Sequence, residues 1–208
     1  MTARRVAAGR PGGAASMAVL ISGSGTTLVN LARQIDTGEL GATIVGVISS
    51  RRAVAGLDRA RDLGLPVEVV ERKAFPDTDE FSDRLTSALY RWHPDIICMA
   101  GFLSLWRIPP SFAGRVLNIH PALLPKFGGR GMHGLKVHEA VIAAGETQTG
   151  CTVHLADNEY DHGPILLQRT CPVLPGDTPQ SLAARVFVEE CMAYPEAIRR
   201  FLSGQRPD

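Results

Sequence analysis

Asn118 and His120 stand one residue apart in "VLNIHPALLPKF", an amide and an imidazole that close an apolar run and are followed by Pro121 and Pro125. If the run is a strand, alternation sends residues 118 and 120 to one face and Ile119 to the other. An amide can donate a hydrogen bond to an oxygen that is becoming negative, and a histidine can carry a proton near neutral pH. The two prolines fix how the chain leaves the strand, and with it the direction of the imidazole. Asp161, in "DNEYDHGPILLQ", comes just before the Gly163-Pro164 turn and another apolar run. From there a carboxylate can reach back across strand ends, orient His120 and favour its protonated form. Amide, imidazole and carboxylate together suit proton transfer around a tetrahedral acyl intermediate. There is no Ser in G-x-S-x-G and no Cys in a nucleophile setting, so direct transfer between bound substrates is preferred to a covalent intermediate. The plainer alternative is that Asn118 and His120 satisfy local backbone and Asp161 stabilises a turn.

A second site lies in "SGSGTTL", residues 22–28. Gly23 and Gly25 permit a tight turn and close backbone approach, and Ser24, Thr26 and Thr27 surround the start of a helix whose free N–H groups would face an anion. Leu28 stands where a dinucleotide fingerprint has its third glycine, and no Gly-Lys-Ser/Thr follows, so neither that motif nor a P-loop is complete. A tight turn that binds nothing is the alternative. Arg51 and Arg52, in "SSRR", fall where an NADP enzyme holds its extra phosphate, which keeps an oxidoreductase reading open.

These residues need a scaffold, and the chain supplies one by alternating apolar runs with amphipathic stretches. "MAVLI", "ATIVGVIS", "PVEVV", "DIICMAG" and "RVLNIH" read as strands, with "TLVNLARQI", "VAGLDRARDLG", "DTDEFSDRLTSALYRW" and "KVHEAVIAAG" as helices. "GCTVHLA" and "PILLQRTCPV" read as an antiparallel pair, and "PQSLAARVFVEECMAYPEAIRRFL" as a closing helix. The expected fold class is α/β: a Rossmann-like, open, mostly parallel twisted sheet flanked by helices, with an antiparallel C-terminal strand pair. Ligands in such folds bind beyond the carboxyl ends of the strands, where Asn118 and His120 would lie.

Of 208 residues, 22 are basic and 21 acidic, a formal charge of +1 with no basic block, which argues against nucleic acid or a membrane surface as partner. Cys98, Cys151, Cys171 and Cys191 are dispersed and form no C-x-x-C pair, so neither a disulfide framework nor a zinc ribbon is expected and the cytoplasm fits. No apolar run approaches the ~20 residues of a membrane span. The first sixteen residues are small and rich in Gly and Pro, without the apolar segment of a secretory signal. They read as a disordered extension, leaving residues 17–208 as one domain.

"LISGSGTTL", "AGFLSLW", "NIHPALLPKF", "GCTVHLADNEYDHGPILLQ" and "RVFVEECMAYP" occur in the order and spacing of the folate-dependent formyltransferases, from about Met17 to the closing helix. The chain resembles that family, and within it the branch that formylates glycinamide ribonucleotide. The resemblance implies transfer of the formyl group of 10-formyltetrahydrofolate to the amine of that ribonucleotide, in purine synthesis, without metal or nicotinamide, by a monomer or homodimer. By motif match Asn118, His120 and Asp161 are the catalytic trio. Gly23, Ser24, Gly25, Thr26 and Thr27 match the phosphate cradle, Glu190 a ribose-binding residue, and Lys126 assists the phosphate end. Phe102, Leu103, Ser104, Leu105, Val153, His154 and Asn158 fall at the folate.

This sequence departs from the family at Ser104, which stands for an arginine, with Arg107 nearby, and at His162, which replaces a glycine after Asp161. Residues 128–134, "GGRGMHG", are longer and richer in glycine than in the family and read as a flap over the nucleotide. The nearest rival is a formyltetrahydrofolate deformylase, which uses water as acceptor but carries a separate regulatory domain. A methionyl-tRNA formyltransferase adds a C-terminal domain. A non-catalytic nucleotide-binding module would leave the trio unexplained.

Overall fold

The computed structural model describes residues 13–205. Among these, β1 (Ala15–Ile21), β2 (Ala42–Ser49), β3 (Val67–Val69), β4 (Ile96–Met99), β5 (Val116–His120), β6 (Gln148–Leu155) and β7 (Ile165–Pro172) form one sheet in the order β3-β2-β1-β4-β5-β6-β7. The first five strands are parallel, and β6 and β7 run antiparallel, as the alternating pattern predicted. The connections carry α1 (Thr26–Asp36), α2 (Ala55–Asp62), α3 (Thr78–Tyr90) and α4 (Leu135–Ala143), and α5 (Pro179–Leu202) closes the fold. The strand order reverses at β1, so a crevice opens between the carboxyl ends of β1 and β4.

The first strand starts earlier than the sequence reading placed it. Ser16 belongs to β1, and its N–H and hydroxyl both donate to Asp95 Oδ2, each at 2.8 Å. The expected disordered extension therefore cannot include residues 15 and 16, and its first twelve residues lie outside the described chain.

Caps follow local chemistry. The Asp77 carboxylate accepts from the N–H groups of Asp79 and Glu80 at the start of α3, and Thr178 and Ser181 form a reciprocal capping box at α5, which has Pro179 in its first turn. Helix α1 has no side-chain cap; it begins directly after Gly25, whose φ is +75°. Its first N–H groups are left for another partner.

Two apolar layers cover the sheet. On one face Leu28 and Leu31 of α1, Val141 of α4 and Val186, Tyr194 and Ile198 of α5 pack with Leu117 and Ile119 of β5. On the other, Phe81, Leu85 and Leu89 of α3 pack with Trp106, Phe112 and Val116. Each large side chain so buried contributes about 1.5–3 kcal/mol. Alternation along β5 thus puts Ile119 in the core and turns residues 118 and 120 to the opposite side.

Two polar contacts lock α5 onto this frame. Pro195, inside the helix, has no N–H to give to the Cys191 carbonyl one turn earlier; the Asn30 side chain of α1 donates to it instead, at 2.9 Å. The buried Tyr194 hydroxyl hydrogen-bonds the Met99 carbonyl at 3.0 Å and the Leu117 carbonyl at 2.9 Å, joining β4 to β5 one residue before Asn118. Both carbonyls also accept within the β4–β5 ladder, so removing the hydroxyl deletes a buried hydrogen bond without stranding them, and Tyr194→Phe should lower stability by about 0.5–1.5 kcal/mol. A shifted urea midpoint with an unchanged slope would show it, and an unmoved midpoint would contradict the role.

Candidate active site

Strand β6 lies antiparallel to β5 with His154 opposite Asn118 and Thr152 opposite His120. That register builds the site. His154, buried at 1% exposure, holds Leu155 O at 3.1 Å through Nδ1 and meets the Asn118 amide at 3.0 Å through Nε2. Burial disfavours its charged form, so the neutral ring donates from Nδ1 and accepts from Asn118 at Nε2. The second Asn118 N–H makes only a long 3.5 Å contact with Asp161 Oδ1. It is the donor an incoming oxygen can take.

His120 is 3% exposed and held at both nitrogens. Nδ1 lies 3.2 Å from Asp161 Oδ1, and Nε2 lies 2.8 Å from the Phe127 carbonyl. Two acceptors match two N–H donors, the pattern of an imidazolium. Burial raises the Asp161 carboxyl, but the His120 ring and the Gly129 N–H, 2.9 Å from Oδ2, outweigh it and hold the group below the usual carboxylate range. Asp161 and Phe127 both adopt left-handed backbone, at φ +52° and +58°. Non-glycine residues rarely do so, and such strain collects where surrounding structure must aim a group.

The supporting loops are tied in the same way. Thr152 Oγ1 donates to Ala122 O and accepts from Leu124 N–H and from the Gln168 amide, fastening the chain that leaves β5. His162, which stands where the family resemblance expected glycine, has no positive φ and reaches back to Asp157 at 2.6 Å; that carboxylate raises its pKa. The loop closes on Gly163, φ +100°, where a Cβ would lie 2.2 Å from the Leu155 carbonyl oxygen.

Two adjoining hollows open at the carboxyl ends. The first, about 390 Å³, is walled by Asn118, His120 and Asp161 with Phe102 and Leu103 and by residues 129–134. The second, about 410 Å³, is lined by all five loop residues 23–27. Glu190 and Thr27 line both. Glu190 is half-buried, and burial pushes its carboxyl up to about 7 against the attraction of His120. The predicted trio, the glycine loop, Glu190, Phe102 and Leu103 are therefore brought together.

Other expected residues are not. Val153 pairs with Ile119 and lies fully buried in the α1–α5 layer, because consecutive strand residues face opposite sides and His154 takes the site side. His154 itself stands behind Asn118 instead of on a wall. Asn158 Oδ1 accepts from Ile108 N–H at 2.7 Å, so its side chain fastens one loop to another. Ser104 and Leu105 are half-buried outside the first hollow, and Arg107 is paired with Asp79. Lys126 is exposed and bonded to Glu146 at 2.8 Å, away from the cradle. Arg52 is engaged with Glu71.

Sequence reasoning missed His138. It is 4% exposed, lines the second hollow, and its Nδ1 has no hydrogen-bond partner; burial and then His120 lower its pKa. Its spacing on α4 reads only as a buried helix face. Of residues 128–134, all but Gly128 wall the first hollow, and Gly129 delivers its N–H to Asp161. Burial pushes the Cys98 and Cys151 thiols up to about 12, so neither offers a thiolate. Among the described residues no group of three or more His, Cys, Asp or Glu is placed to hold a metal ion.

The profile of the family described as "Formyl transferase" matches residues 15–198. The "Trifunctional purine biosynthetic protein adenosine-3" of Drosophila pseudoobscura pseudoobscura is 41% identical over 192 residues, which cover 90% of this chain and 14% of that protein. The chain thus spans about one-seventh of that relative's length. The "Phosphoribosylglycinamide formyltransferase, chloroplastic" of Arabidopsis thaliana is 36% identical over 185 residues, covering 88% of this chain and 63% of the plant protein. The crystal structure of glycinamide ribonucleotide transformylase 1 from Symbiobacterium toebii superposes with a TM-score of 0.86 at 39% identity, covering 93% of this chain and 90% of that one.

Glu190 yields a pH prediction. Its carboxyl has an ordinary value near 4.5 when unfolded and is pushed up to about 7 when folded, so between those values the native state binds a proton that the unfolded chain has lost. Stability from this group is present below pH 4.5 and falls as pH rises through 7. Glu190→Gln should therefore gain on the parent protein across that window, by about 3 kcal/mol at most. Urea unfolding at about pH 5 and about pH 8 would reveal the widening gap, and an equal gap at both would contradict it.

Proposed function

The chain belongs to the formyl transferase family, and from that premise we propose that it moves the formyl group of 10-formyltetrahydrofolate to the amine of glycinamide ribonucleotide, a step of purine biosynthesis. One observation carries the reading: an amide–imidazole–carboxylate cluster forms the wall of one hollow, beside a second hollow floored by an uncapped helix start. A transfer between two small substrates needs two adjoining sites, and a phosphate suits the backbone N–H groups of the glycine loop. A volume of about 390 Å³ lies within the usual range for a small-molecule site, and Phe102 and Leu103 offer apolar contact to the folate ring system.

The amine nitrogen of the ribonucleotide attacks the formyl carbon, and the formyl oxygen becomes an oxyanion. The second Asn118 N–H, held short of a strong partner, donates to that oxygen, and the positive His120 ring stabilises the same charge. Asp161, kept ionised by His120 and Gly129, accepts the proton that the attacking nitrogen must lose, directly or through water. Collapse of the intermediate breaks the bond to the folate nitrogen, which takes up a proton as it leaves. Glu190 lines both hollows, which supports reading it as the partner of the ribose hydroxyls. Among the described residues no helix is long and apolar enough to cross a membrane.

With both substrates present, mass spectrometry should find formylated ribonucleotide; formate in its place would make the protein a hydrolase. His120→Ala and Asp161→Asn should each lower kcat by about 100-fold or more while KM for either substrate moves only a few fold. Near-normal turnover in folded variants would refute the assigned roles.

A further inference from the structure

The hollow lined by the glycine loop is shaped by a helix that does not line it. Helix α2 follows β2, on the flank of β1 away from β4, and three contacts fasten it to the loop. Gly56 N–H donates to the Gly23 carbonyl at 3.1 Å. Arg59 Nη1 donates to the Ser24 carbonyl at 2.8 Å. Between them the backbones meet at glycine: a Cβ on Gly25 would lie 2.6 Å from Gly56 Cα, and one on Gly56 would lie 2.8 Å from Gly23 O.

A trans peptide is planar, with its C=O and N–H pointing in opposite directions. A Gly23 carbonyl turned to α2 therefore turns the Ser24 N–H away from it. A Ser24 carbonyl held by Arg59 does the same to the Gly25 N–H. Neither N–H has a protein acceptor among the described residues, and both join the uncapped start of α1. Successive N–H groups turned to one side form an anion nest.

We propose that Arg59, seated by Gly56, is a positioning residue of the phosphate subsite: it holds the loop peptides in the orientation that aims their N–H groups at the phosphate of the acceptor. The proposal rests on reading residues 23–27 as the phosphate cradle. Arg61 supplies an internal control, because it is on the same helix, carries the same charge and, among the described residues, its side chain pairs with Asp58 within α2, at 2.9 Å, and not with the loop.

The test uses the full chain and compares the parent protein, Arg59→Ala and Arg61→Ala in KM for each substrate, in kcat, and in competition by inorganic phosphate against the ribonucleotide. Losing one oriented donor set corresponds to about a tenfold rise in ribonucleotide KM for Arg59→Ala, with phosphate competition weakened alike and with kcat and folate KM within about twofold. Arg61→Ala should match the parent. Arg59→Gln, neutral and shorter, should give the same split and serves if the alanine variant does not fold. Equal effects at positions 59 and 61 would overturn the proposal, because charge alone would then explain them. A parallel loss of kcat or of folate affinity would overturn it as well, since Arg59 would then act on the whole fold. If inorganic phosphate fails to compete even in the parent protein, the cradle reading falls first and the proposal with it.

Discussion

The contact between His120 and Asp161, 3.2 Å long and 4% and 11% exposed at its two side chains, sets the terms for everything around it. Withdrawing an ion pair from water is expensive unless other hydrogen bonds complete it. Here the backbone completes it: the Phe127 carbonyl takes the second imidazole nitrogen and the Gly129 N–H takes the second carboxylate oxygen. Both come from the loop that follows β5. The pair therefore ties the end of β5 and the loop after it to the turn at Asp161, far along the chain, and left-handed backbone at Asp161 and Phe127 is part of what aims them.

The fold makes that contact possible by geometry more than by composition. Parallel strands gather carboxyl ends at one edge, and the antiparallel β6 then returns a histidine directly opposite Asn118. Because His154 is kept neutral by burial, it can accept from the amide and leave one N–H of Asn118 uncommitted. Tyr194 fixes β4 against β5 just before that point. At the other hollow the chain does the reverse: it leaves the first turn of α1 uncapped, whereas α3 and α5 are capped by side chains.

Much of this was legible in the sequence. Period-2 and period-3.6 patterns revealed the strands and helices, and alternation placed Asn118 and His120 on one side. The glycine loop announced its turn. What pattern reading could not resolve was which face of β6 meets the site: Val153 and His154 were both assigned to the folate, yet neighbouring strand residues cannot share a face. Lys126 was read from motif position alone, and its ammonium is held by Glu146; the Asn158 side chain is held by the Ile108 N–H, a contact between loops that sequence spacing does not report. The start of β1 was hidden because Ala15 and Ser16 are small and carry no hydrophobic signal; a contact with Asp95, far along the chain, secures them. His138 and the bracing by Arg59 depend on three-dimensional neighbours that no local spacing reports.

The central claim is that His120 and Asp161 act as one unit at the end of β5. A double-variant cycle on kcat tests it most directly, with the single changes His120→Ala and Asp161→Asn set against their combination. Residues that act as a unit give non-additive losses, so the double variant should be about as slow as the slower single one. Losses that multiply would mean two independent contributions, and would contradict the account.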